Sequence, residues 1–237
     1  MAFKQFSLDE ETLVTVYKRK ASRSLRLSIA PGGEIRVSIP TWTPYAAGVA
    51  FARSRLQWIK EQRLTKQQLR QGQLIGKAHH LQFSQEPSRT TVATRVQSTQ
   101  VVVSYPLEMP ISHSEVQRAA ELASIRALRK QARQLLPQRL AQLAAKHDFT
   151  YQSVRIKQLK SRWGSCDHQT NIVLSLFLMQ LPWECIDYVL LHELTHTKIL
   201  HHGPKFWSAM SMVVPDLPRI RKEMRTYQPL LNNSRAE

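Results

Sequence analysis

His192-Glu193-Leu194-Thr195-His196 sets two imidazoles four residues apart, with a carboxylate directly after the first. On a helix, 3.6 residues per turn places His192 and His196 one above the other on one face. Two imidazoles so placed can bind one zinc ion, and Glu193, beside that face, can take a proton from a zinc-bound water. A catalytic zinc keeps three protein ligands and leaves one position for water. The third ligand must come from elsewhere, most simply from further along the chain, where His201 and His202 follow. No Asp or Glu occurs between His196 and Asp216, which excludes a carboxylate ligand close by. Gly203-Pro204 turns the chain after the two histidines, and such a reversal can bring either one inward. The pattern is short enough to arise by chance. The plain alternative is a surface helix that happens to carry these side chains, so the surrounding elements must decide.

Pro182 to His196 reads as one helix, opened by Leu181-Pro182 with proline at a favoured first-turn position. Two β-like runs precede it, 153–159 and 171–178, joined across Ser161 to His168. A helix is expected from Pro204 to about Met212, and another from Leu217 to Tyr227. Upstream, 112–147 is helical in pattern, with Ile125, Leu128, Ala132, Leu135, Leu136, Leu140 and Leu143 on one face. Its basic face reads as solvated, and Pro137 should kink or restart it. The first hundred residues alternate in strand fashion: 12–17, a hairpin of 25–29 and 35–40 about Pro31-Gly32-Gly33, then short strands between 74 and 103. One long helix, capped by Thr43 and opened by Pro44, is expected to run to about Leu69. Pro106 and Pro110 mark a break. The fold class expected is α+β: a β-rich region with one long helix over residues 1–110, then a mainly helical region over 111–237 carrying the HELTH helix.

A formal charge of +17 and a pI near 10.4 favour polyanionic surroundings, nucleic acid among them, although solubility alone also explains such a balance. The basic residues are spread along the chain and form no tail. Two cysteines make no disulfide framework and suit a reducing compartment. The first ten residues lack the apolar core of a secretory signal, and no stretch approaches the length of a membrane span. A soluble, cytoplasmic protein is expected, with no membrane partner.

Several other residues invite a role. Cys185 lies roughly 10 Å down the helix from His192, too far to ligate, and reads as a buried thiol. Cys166 is a soft donor, but three histidines already suffice. His79-His80 reads as solvated loop, and His147 and His168 have no assigned role. Arg162, Tyr188 and His201 are the groups available to stabilise an oxyanion or to support the ligands. Tyr188, one turn before His192, fits packing under the metal better. Arg162 and Trp163 fit the bracing of loops and strands better than contact with substrate.

Arg162-Trp163-Gly164-Ser165-Cys166, Asp187-Tyr188-Val189, His192-Glu193-Leu194-x-His196 and His202-x-x-x-Phe206-Trp207, taken together, resemble the YgjP-like metallopeptidase family. The stretch from Tyr17 through Arg23-Ser24-Leu25-Arg26-Leu27 to Pro40 resembles that family's N-terminal part. More distantly, His202-Gly203-Pro204-Lys205-Phe206 is similar to the third-ligand loop of the SprT and Spartan metalloproteases, which act on DNA-bound proteins. The resemblance implies a zincin-like fold, one zinc per chain, and hydrolysis of peptide bonds in a protein or peptide substrate. It implies His192, His196 and His202 as ligands and Glu193 as the catalytic acid/base, which leaves His201 beside the site. Two positions depart from the pattern, His201 and Ser175, where the family usually has Asn. A rival reading is a basic nucleic-acid-associated protein with a structural zinc, but such sites favour cysteine and four ligands. A third combines the two, a protease recruited to nucleoprotein by its charge.

Overall fold

The computed structural model describes residues 3–9, 12–20, 22–29, 34–59, 68–159, 161–229 and 231. The chain forms two compact units, Met1–Gln67 and Gln68–Glu237. The architecture is α+β, with strands concentrated in the first half.

In the first unit, strands β1 (Phe3–Ser7), β2 (Leu13–Arg19), β3 (Arg26–Ile29) and β4 (Ile35–Pro40) form a sheet of order β1-β2-β4-β3, with β2 and β4 parallel. Alternation drives it: Val14, Val16, Ile35, Val37 and Ile39 are fully buried on one face. Helix α1 (Tyr45–Ser54) covers that face through Gly48 and Ala52. It approaches so closely that a Cβ on Gly48 would lie 2.8 Å from a methyl of Val16. The N-cap is Pro44 rather than Thr43. The helix pauses at Arg55, whose backbone leaves the helical region, and resumes over 56–59. Its expected continuation over 60–67 and the Pro31-Gly32-Gly33 turn lie outside the described residues, and Leu69 is not helical.

The second unit is built on helix α2 (Ser114–Lys146), about 50 Å long at 1.5 Å per residue. It runs unbroken through Pro137, with Leu136 and Leu140 on either side fully buried and holding the line. Strands β5 (Leu74–Ile75), β6 (His79–Gln85), β7 (Ala93–Val96) and β8 (Gln100–Tyr105) form a sheet of order β5-β6-β8-β7. The sheet packs on α2 through Leu81, Val101 and Val103. These strands therefore share the core of α2, and the division of the chain falls before them instead of at residue 110. His79 is no solvated loop residue: it is 2% exposed on β6. Its Nε2–H donates to the carbonyl of Gln97 (3.0 Å), and its Nδ1 accepts from Gln131 of α2 (2.7 Å). Alternation along the strand turns it inward and leaves His80 exposed.

A second sheet, of order β10-β11-β9, is formed by β9 (Ser153–Lys157), β10 (Gly164–Cys166) and β11 (Asn171–Ser175). The strand expected to reach Leu178 stops at Ser175, whose hydroxyl accepts the N–H of Phe177 and starts a short 3-10 turn, Leu176–Gln180. Helix α3 (Trp183–His196) follows, then α4 (Pro204–Val213) and α5 (Leu217–Met224). α3 packs against α2, α4, α5 and β10, so it is buried nearly all round. Among the described residues no helix is long and apolar enough to cross a membrane.

Arg139 of α2 grips Asp187 of α3 in a two-pronged pair, Nε–Oδ1 2.8 Å and Nη2–Oδ2 2.5 Å. A partly exposed pair of this shape contributes about 1 kcal/mol. Asp187→Asn should therefore lower Tm by about 2–4 °C in thermal unfolding. An unchanged Tm would show that the pair does not brace the two helices.

Candidate metal centre

α3 ends on His196. The N–H groups of Thr197 and Lys198 turn back to the carbonyls of Leu194 and Thr195, and the Thr197 hydroxyl donates to the carbonyl of Leu194 (2.8 Å). The loop then reverses to Gly203, which caps α4 in an extended conformation with Pro204 as the first helical residue. This brings His202 back over α3. The Nε2 atoms of His192, His196 and His202 form a triangle with edges of 3.2, 3.0 and 3.0 Å. A tetrahedral ion with Zn–N bonds of about 2.0–2.1 Å needs its nitrogens roughly 3.3 Å apart, so the triangle fits zinc.

Other atoms fix the rings. Nδ1–H of His196 donates to the carbonyl of Ile199 (3.1 Å), which leaves the Nε2 lone pair directed at the triangle. Phe206, fully buried at the start of α4, has its ring centroid 4.6 Å from His196, 4.8 Å from His202 and 5.0 Å from His192. Trp207 stacks on His202 at 5.8 Å. Burial, reinforced by the neighbouring imidazoles, pushes His192 down to about 3, and burial also lowers His196. Both are therefore neutral, as a ligand must be. Nδ1 of His192 is buried without a partner.

Glu193 is 4% exposed, and its Oε2 is buried without a hydrogen-bond partner. Burial raises its carboxyl to about 8, against the opposing pull of Arg162. The side chain lies against Gly164 of β10. A Cβ at that position would stand 2.6 Å from Oε1, 2.8 Å from Cγ and 2.9 Å from Cδ. Gly164 is thus required for close approach, a role the sequence showed only as one letter of Arg162-Trp163-Gly164-Ser165-Cys166.

These groups open on a cleft of about 600 Å³. Arg162 and Tyr188 line it; His201 is exposed and does not. Tyr188 packs 6.0 Å from the His192 ring, and burial raises its hydroxyl. Cys166 lines the rim, its thiol pushed up to about 11 by burial and by Glu193, and does not join the histidine cluster. Cys185 is a buried thiol outside any disulfide. Ser175 is buried at the end of β11, beside β10, where its N–H donates to the carbonyl of Trp163 and its hydroxyl to that of Leu159. Two basic cleft residues escaped the sequence reading, Arg221 and Arg225 near the end of α5. The available signal was the apolar stripe Leu217, Ile220, Met224, which turns its neighbours Arg221 and Arg225 toward the same side.

Two outcomes follow from this geometry. His202→Ala should weaken zinc binding by more than about a hundredfold, beyond the loss of an outer partner, whereas His201→Ala should leave it unchanged. Titration with a zinc-competing chelator checks this, and the opposite pattern would shift the ligand register by one. Gly164→Ala should destabilise the fold by about 1–3 kcal/mol, since the buried Glu193 cannot swing aside, and Glu193→Ala should relieve most of that cost. Denaturant unfolding of the four proteins measures the coupling.

A family model described as YgjP-like, metallopeptidase domain, matches residues 23–227. No curated protein sequence matches the chain. Among solved structures, the crystal structure of the metallopeptidase zymogen of Pyrococcus abyssi abylysin is similar at 24% identity, over 38% of this chain and 93% of that one, with a TM-score of 0.35.

Proposed function

The chain belongs to the YgjP-like metallopeptidase domain family, and from that premise we propose that it hydrolyses peptide bonds with one zinc ion held by His192, His196 and His202 and with Glu193 as general base. The observation that carries the reading is the meeting of three Nε2 atoms beside a buried carboxylate with an unpartnered oxygen. Zinc bound there would supply a Lewis acid and bring the pKa of a water to about 7.

The remaining roles belong to the chain itself. Glu193, shielded from solvent, binds a proton more tightly than an exposed carboxylate, which suits a group that takes a proton from water and hands it to the leaving amine. Of Arg162, Tyr188 and His201, the first two line the cleft and can donate to the developing oxyanion; His201 lies outside the lining. β10 is an edge strand along the same cleft, so its backbone can pair with an extended peptide and hold it over the histidines.

A structural zinc closes its shell with four ligands. Among the described residues only three donors cluster here, on an open cleft, which favours catalysis. Neither cysteine is in a disulfide, which agrees with action in the reducing cytoplasm. Glu193→Gln should keep about one zinc per chain while losing two to four orders of magnitude in hydrolysis of a fluorogenic peptide. Unchanged hydrolysis would remove Glu193 from the chemistry. A zinc content near zero in the unaltered protein after zinc loading would remove the site.

A further inference from the structure

The cleft carries three arginines from two elements: Arg162 before β10, and Arg221 and Arg225 at the end of α5. Among the described residues none of the three makes an ion pair with a carboxylate. Among the described residues, the sole carboxylate in the cleft lining is Glu193, which is buried. Acidic residues do stand close by, but they are engaged elsewhere. Glu184, Asp216 and Glu223 all converge on Arg219, the last two at 2.8 and 3.4 Å, and Arg219 does not line the cleft. Neutralisation thus falls on Arg219, and Arg221, two residues on, is left facing the cleft.

Arg221 is also held in place. Its guanidinium lies 3.7 Å over the ring of Trp207, the same ring that stacks on His202. A cation fixed on an indole loses little freedom when it binds an anion and keeps its edge donors for a carboxylate. Arg225 stands one turn further, on the same side. Basic residues at a helix end also complement its dipole, but Lys222 serves that purpose on the exposed face without entering the cleft.

Resting on the peptidase reading above, we propose that this site selects anionic peptides, those with a carboxylate close to the scissile bond, which Arg221 and Arg225 bind from one side and Arg162 from the other. The carboxylate is that of an acidic side chain or of a free C-terminus. A neutral peptide would desolvate the arginines without pairing them.

The test uses full-length Glu193→Gln protein and fluorescein-labelled peptides in matched sets: Glu-containing against Gln-containing, each with a free or an amidated C-terminus. Fluorescence anisotropy should show the acidic peptide binding about tenfold more tightly than its neutral twin at low salt, the worth of one charge-assisted pair. The advantage should shrink at high salt. It should collapse in Arg221→Gln and in the exposed Arg225→Gln, with zinc content and circular dichroism of each variant confirming the fold. If amidation alone abolishes the preference, the anion is the C-terminus; if the Glu-to-Gln change does, it is a side chain. Equal or tighter binding of the neutral, amidated peptide overturns the proposal. The same peptides offered to the unaltered zinc-loaded protein separate the two readings. Selective binding without any cleavage overturns the peptidase assignment and keeps the charge selection. Cleavage of neutral peptides as fast as acidic ones overturns the charge selection and keeps the peptidase.

Discussion

Three imidazole lone pairs facing one point are an unfavourable arrangement that a chain does not adopt unless packing imposes it. Here Phe206 imposes it. Its ring sits within 5 Å of all three histidine rings, each of which comes from a different turn or loop. Phe206 is itself fixed because α4 docks on α3, and α3 because it is enclosed by α2, α5 and β10. The site thus stands at the end of a chain of apolar contacts that starts in the middle of α2. Hydrophobic burial supplies the energy, and the polar groups accept the positions it dictates.

The same logic explains Glu193. An ionised carboxylate with an unpartnered oxygen inside a protein is costly, so burial raises the pKa of Glu193 to about 8, and the missing side chain of Gly164 leaves the space it fills. The pairing couples an edge strand to the helix beside it through a contact that neither element shows alone.

That difference separates what could be read in the sequence from what could not. The spacing of His192 and His196 is local periodicity, and so were α2, α3 and most strands. Convergence is not local. Nothing near Gly164 announces that Glu193 fills the space above it, and nothing near Arg221 shows that Trp207 lies beneath it. His79 was misread because a histidine pair looks polar, although strand alternation buries the first and exposes the second. The expected boundary near residue 110 followed the prolines, whereas the core follows β6 and β8 onto α2. Pro137 was expected to kink or restart α2, yet the helix runs through it, carried by Leu136 and Leu140 in the core.

The placement of Phe206 on α4, across the loop that follows His196, rather than on α3, has a further consequence. Two of the three imidazoles belong to a helix sealed in the core, but the ring that orders them belongs to a ten-residue helix at the periphery of the unit, whose buried side chains are Phe206 and Met210. Local unfolding of that short helix alone would scatter the triad while leaving α3 intact. The lifetime of the assembled site is then set by a small foldon and not by the global stability of the protein. Amide hydrogen exchange along 204–213 would report that lifetime directly, and conditions that melt this one segment would silence the site in a chain that still looks folded by every bulk measure.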